Sequence, residues 1–392
     1  MNTEHWIWLP EEQFPKRQLS PYSRFMKTLI AVPHTVARFG KTYTYGQSVT
    51  KIDLRFSADC IGRVLLNGQM LAVGPTPSGG DFLDNERPRA VHYATRMTVT
   101  PADCPSIATG RLAFVGEVRL RPEFLCEYSR GHGGFMLSAQ LTFADGTIDY
   151  ISTGDGWDAQ LLGGWIAPRT YDDSIDPTPP LPAQEIENRW HCTDAPIPPC
   201  SETRVPVKGL EHVTVPPGET IQLTADQEQI AAGYVVIDAY TTGSLTIAVR
   251  VSETIDDDGV NETCRFERNG SYRSFELVSA GCMTATATNA GSIPADFSVS
   301  LIRTCFPVAV QAHTITSDPQ LNMVAESCAQ TLQWCRQMLH LDSPRHCEPL
   351  ACTGDYYIET LMTAFTFGDL RLAAFDIRRT AQTLRDHDGR LF

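Results

Sequence analysis

The sequence predicts a mainly β chain with an α-helical C-terminal part: two antiparallel β-sandwiches followed by helices. Three observations lead there. Apolar residues alternate strictly in short segments between about 31 and 316. Gly, Asn and Asp turns separate those segments. At Ser317-Asp318-Pro319 the apolar spacing switches from two to three and four residues, which marks a change from strand to helix.

Residues 1–30 carry aromatics and prolines without a clean period, so they read as a lead-in segment that Trp6 and Trp8 pin against the body. From 31 to 165 a jelly-roll-like sandwich is expected. Leu66-Asn67-Gly68-Gln69 is a hairpin signal, because Asn-Gly supplies the positive φ angles of a tight turn. Phe135, Leu137, Ala139, Leu141 and Phe143 alternate up to the Asp145-Gly146 turn, which puts all five on one strand face. Prolines crowd the stretch 166–215, where each removes a ladder donor, so an irregular surface connection is expected. A second sandwich follows over 216–316, with Leu245, Ile247, Val249 and Val251 alternating, then Phe297, Val299 and Leu301. Asp256-Asp257-Asp258-Gly259 reads as a solvated acidic turn, since it lacks the spaced ligands and distal glutamate of a calcium loop.

In the last segment, 317–392, Ser317 or Asp318 is a candidate N-cap and Pro319 suits the first helical position. Leu321, Val324, Cys328, Leu332, Cys335 and Leu339 make one helical stripe, ended by Pro344. Ile358, Leu361, Met362 and Phe365 make a second, and Ala373, Ile377, Ala381 and Leu384 a third.

With 42% hydrophobic and 20% charged residues, the composition is that of a soluble globular protein, and 392 residues exceed one core. A net charge of −14 argues against nucleic acid and against an anionic membrane surface as partners. No apolar run approaches a membrane span, and the N-terminus does not have the pattern of a signal peptide. The 12 cysteines show no repeated spacing and read as mostly buried free thiols in a cytoplasmic protein. No nucleotide fingerprint is present and no closed zinc spacing joins His340, His346, Cys347 and Cys352, so neither a cofactor nor a metal is expected. The pattern fixes no oligomeric state.

The chemistry concentrates in residues 342–355. Asp342, Glu348 and Asp355 fall in a turn-rich loop between two helical patterns. A carboxyl in a partly apolar pocket beside other carboxylates gains a raised pKa, which suits a general acid. Glu348 fits that part, while Asp342, Asp355, Arg345 and His346 are candidates to hold a hydroxyl-rich substrate. Glycoside hydrolysis uses such an arrangement, one acid protonating the leaving oxygen and a second carboxylate activating water. On spacing alone a structural reading stands beside it, with Asp342 as a cap, Thr353-Gly354-Asp355 as a helix start and Glu348 in solvent.

Asp342-x-Pro344, Glu348, Leu350 and Thr353-Gly354-Asp355-Tyr356 resemble the signature loop of bacterial α-L-rhamnosidases, glycoside hydrolase family 78, typically D-C-P-Q-R-D-E-R-L-G-W-T-G-D. The order of a Leu66-Asn67-Gly68 hairpin, an Asp145-Gly146-Thr147 turn and a Gly233-Tyr234 strand is also similar to that family. The resemblance implies that 317–392 begins an (α/α)6 catalytic barrel, cut short after three of twelve helices. It also implies that Glu348 is the general acid, that Asp342 and Asp355 bind the sugar, and that hydrolysis proceeds with inversion. The catalytic base would then lie beyond residue 392, leaving this piece inactive alone. Ser343, Arg345-His346, Cys347, Pro349, Ala351 and Cys352 depart from the family loop, and Cys352 removes an aromatic surface. The alternative from another class is a non-catalytic carbohydrate-binding or scaffold protein built from the sandwiches.

Overall fold

The computed structural model describes residues 4–13, 18–19, 30–31, 34–77, 92–120, 133–188, 190, 192–313, 315–344 and 353–382. Two sheets face each other in the first sandwich. One runs in the order Gln184–Ile186, Trp6–Trp8, Gly134–Phe143, Val49–Asp59, His92–Val99 and Cys192–Asp194, with Ile148–Ser152 also on Gly134–Phe143. The other runs Leu181–Pro182, Asp158–Leu161, Thr35–Thr44, Arg111–Leu120, Ile61–Leu66 and Gln69–Gly74. Phe135, Leu137, Ala139, Leu141 and Phe143 are all buried in the core between them, beside Leu54, Phe56, Phe114 and Trp157. The lead-in tryptophans are buried too, because Ile7 pairs with Phe135 and the Trp6 indole stacks on Trp190 at 4.1 Å. Asn67 and Gly68 take φ angles of 50° and 81°, and this tight turn brings Leu66 opposite Gln69.

The second β unit is one continuous sheet around a separate core. Thr220–Tyr240 pairs with Val278–Asn289 along its first part and with Ala295–Cys305 along its second, with a register shift between Asp226 and Ala231. Passing from one neighbour to the other folds the sheet over Val235, Ile237, Val249, Phe266 and Phe297. Gly233 sits where a Cβ would meet the Ile302 carbonyl at 2.5 Å, so the two strands approach closely only with glycine there.

The proline-rich stretch supplies short strands to both units. Leu181–Pro182 and Gln184–Ile186 lie at edges of the first sandwich, and Ser201–Pro206 pairs with Ala295–Cys305 in the second. The sheets are antiparallel except where Cys192–Asp194 runs parallel to His92–Val99 and Thr170–Asp172 parallel to Val260–Phe266.

Three helices follow among the described residues, fewer than an (α/α)6 barrel requires: α1 (Pro319–Cys335), α2 (Thr353–Phe367) and α3 (Arg371–Ala381). Asp318 caps α1, its Oδ1 accepting from the Gln320 amide at 2.8 Å. The apolar stripes are only partly turned to the body, with Leu332, Cys335, Leu339 and Ala373 buried. Leu321, Val324, Cys328, Ile358, Leu361, Met362, Phe365 and Ile377 are exposed. The sides turned to the body carry Leu332 and Cys335 from α1, Tyr356, Thr363 and Phe367 from α2, and Leu372, Phe375, Asp376 and Arg379 from α3. A helical period locates an apolar face but does not say what covers it.

Among the nine described cysteines none forms a disulfide. No helix among the described residues is long and apolar enough to cross a membrane.

Candidate active site

The carboxylates gather where the helices meet the second sandwich. Asp342 and Asp355 are both exposed, Asp342 after α1 and Asp355 in the first turn of α2. The Ser343 amide donates to Asp342 Oδ1 at 2.6 Å. Arg345, His346 and Glu348 lie outside the described residues.

One turn along α2 from Asp355 stands Glu359, which the sequence reading missed. Burial, then the charges of Asp376, Asp355 and Asp342, push its carboxyl up to about 8. Its Oε2 is buried without a hydrogen-bond partner. Removing a carboxyl from water beside other carboxylates disfavours its ionised form, so Glu359 carries a proton at neutral pH. Asp342, Asp355 and Asp376 are therefore all within electrostatic reach of one protonated acid. The available signal was the four-residue spacing of Asp355 and Glu359, which places both on one helix face.

A buried polar cross-link holds this arrangement. The His340 ring, 1% exposed, has Nδ1 2.7 Å from Asp376 Oδ2 and Nε2 3.0 Å from Thr363 Oγ1. The His340 amide also donates to Asp376 Oδ2 at 3.2 Å. This histidine thus joins α2 to α3, with both ring nitrogens engaged, and the Tyr356 ring packs edge-on against it. Arg379 extends the link, donating to Tyr356 Oη at 3.1 Å and to the Pro77 carbonyl at 3.0 Å.

From the β side, Glu253 approaches in the loop after Leu245–Ser252, accepting from Ser279 Oγ at 2.8 Å. Cys335 lies between the two parts. Burial, then the charges of Glu359, Asp342 and Glu253, push its thiol up to about 12, so it is a neutral wall group and not a nucleophile. An exposed rim of carboxylates around a protonated acid can accept hydrogen bonds from hydroxyls and supply a proton, which suits acid catalysis on a polyhydroxylated substrate.

No protein-family model matches the sequence, and no curated protein matches it either. The fold is similar to solved rhamnosidase structures. For the α-L-rhamnosidase from Dictyoglumus thermophilum the TM-score is 0.68 at 13% identity, over 98% of this chain and 45% of that one. For the family 78 rhamnosidase of Bacillus sp. GL1 it is 0.72 at 12% identity, over 96% of this chain and 63% of that one. For the Streptomyces avermitilis α-L-rhamnosidase complexed with L-rhamnose it is 0.62 at 15% identity, over 91% and 36%. The chain therefore spans about half the length of these structures, and at such identities the likeness is one of fold.

Proposed function

We propose that this chain is the N-terminal portion of a glycoside hydrolase resembling α-L-rhamnosidases. It acts by inversion on terminal α-L-rhamnosyl or related deoxy-sugar residues, with Glu348 as general acid. The observation that carries the reading is the fold likeness over nearly the whole chain, beside a sequence loop that retains Asp342, Glu348 and Asp355. Asp342 and Asp355 bind the sugar, helped by Arg345 and His346, and the base comes from a carboxylate outside these residues. Glu359, protonated behind the two aspartates, keeps one negative charge out of the cluster so that a neutral sugar is not faced by a fully ionised acid patch.

The test is release of the aglycone from an aryl α-L-rhamnoside by the gene product extended past residue 392. Glu348→Gln should abolish release when the leaving group needs protonation and spare it when the leaving group is activated. Undiminished turnover of the unactivated substrate would remove Glu348 from the mechanism. Sugar binding without turnover by the extended protein would favour a carbohydrate-binding scaffold instead.

A further inference from the structure

The first sandwich, the second β unit and the helices meet at one short link, residues 274–277, between Gly270–Arg273 and Val278–Asn289. The first sandwich grips this link with two arginines. Arg119, 1% exposed, is ion-paired with Glu276, and its guanidinium stands 5.9 Å from the Phe275 ring. Arg63 lies over the same ring at 4.2 Å and donates through Nη1 to the Arg273 carbonyl at 3.1 Å. Arg63 is fixed in turn by a triad. Its Nε donates to Glu117 Oε2 at 2.6 Å, and Arg38 donates to Glu117 Oε1 through Nε at 3.0 Å and Nη2 at 2.7 Å. Burial works against this carboxylate, but the Arg63 and Arg38 charges outweigh it and hold Glu117 down at about 2. Two guanidinium groups on one aromatic ring, one of them in a buried ion pair, make a stiff attachment, because moving either strands a charge away from water.

The backbone of the link is fixed as well. The Ser274 amide donates to the Val235 carbonyl at 2.9 Å. Its hydroxyl accepts from the Val235 amide at 3.0 Å and donates to the Glu276 carbonyl at 3.0 Å. Arg169 Nη2 donates to the Leu277 carbonyl at 3.3 Å. Leu277 is thereby presented to the helical part, where it packs on the cluster of Leu339, Leu341 and Tyr356. Two of those three residues adjoin the aspartates of the candidate site, since Leu341 precedes Asp342 and Tyr356 follows Asp355. Two positions after Leu277, Ser279 holds the Glu253 carboxylate.

Close-packed side chains transmit displacement instead of absorbing it. We infer that Leu277 is a positioning residue that sets the spacing of Asp342 and Asp355, and that the first sandwich holds it in place through Arg119 and Arg63. With the two aspartates binding sugar as proposed for the hydrolase, the first sandwich works within the active site and is not a detachable accessory.

The test uses the gene product extended past residue 392 with an aryl α-L-rhamnoside. One variant is Leu277→Ala. The other combines Arg119→Met with Glu276→Met, so that no buried charge is stranded and the fold is kept. Each should raise KM about tenfold and change kcat less than about threefold, because the sugar is held less well while the acid is untouched. Val215→Ala is the control: it lies in the core of the second β unit, on a strand that pairs with Ala295–Cys305 and not with those flanking the link. It should lower the melting temperature and leave KM as it is. An unchanged KM in Leu277→Ala, or an equal rise in Val215→Ala, would overturn the inference. A second readout needs no hydrolysis. On the 392-residue chain, exchange of the amides of 357–359 in α2 should speed up about tenfold in both link variants and not in Val215→Ala. Unaltered exchange in Leu277→Ala would also overturn the positioning role. Faster exchange there, with no sugar released by the extended wild-type protein, would instead count against the hydrolase proposal alone.

Discussion

Glu359→Gln isolates the electrostatics of the carboxylate cluster. The substitution keeps shape and removes the titration. In the folded chain the Glu359 carboxyl rises from 4.5 to about 8, by burial first and then by Asp376, Asp355 and Asp342. Below pH 4.5 both folded and unfolded chains hold the proton, so the residue adds no pH dependence. Between 4.5 and 8 the unfolded chain releases the proton while the folded chain retains it, so rising pH favours unfolding. Above 8 both are ionised and the difference levels off. At about 1.4 kcal/mol per tenfold change, the rise corresponds to a ceiling of about 5 kcal/mol. The side chain is only half-buried, so screening reduces this to about 2 kcal/mol. Urea denaturation of wild type and Glu359→Gln at intervals from pH 4 to 9 gives the comparison. The wild type should lose about 2 kcal/mol relative to the variant as pH rises, with the change centred between pH 4.5 and 8. Parallel stability curves would show that Glu359 is not held protonated and would refute the reasoning.

Other predictions follow from single contacts. Glu117→Gln leaves two arginines without their shared carboxylate and should cost about 3 kcal/mol at pH 7 by chemical denaturation. Because that carboxyl is depressed, its contribution is present above pH 4.5 and fades as the pH falls towards 2, so the gap between variant and wild type should narrow in acid. Asp376→Ala removes the acceptor for His340 and should lower stability by about 3 kcal/mol, whereas Phe365→Asp on the exposed side of α2 should change it by about 0.5 kcal/mol or less. Gly233→Ala should destabilise by about 2 kcal/mol, since the new methyl meets the Ile302 carbonyl, and a shift in melting temperature reads this directly.

Much of the fold was legible where local chemistry and tertiary burial agree. Strict alternation from Phe135 to Phe143 places those side chains in the core, and Asn67-Gly68 forms the tight turn its backbone freedom permits. Asp318-Pro319 starts a helix because one residue accepts from the first turn and the other needs no donor there. Legibility fails where partners come from far along the chain. Leu181–Pro182 and Cys192–Asp194 are two- and three-residue edge strands, too short for any period, and their partners at 158–161 and 92–99 create them. On the helices, period alone favoured Ile358, Leu361 and Phe365 as the inward side, yet a mixed face of Tyr356, Glu359 and Thr363 meets the body. In the site, the loop pointed to Glu348, which lies outside the described residues, whereas Glu359 becomes notable only once α3 brings Asp376 to it.

The hydrogen bond from Arg379 to the Pro77 carbonyl spans 302 positions of sequence, and Tyr93 packs against Phe375 at 4.9 Å across a similar interval. α3 thus rests partly on the first sandwich, although the whole second β unit separates them in sequence. Closing so long a loop costs chain entropy that contacts offset only once both ends are formed, so these contacts are expected late in folding. Amide exchange in α3 should accordingly respond to cavity-forming substitutions in the first sandwich, even though no strand pairs with it.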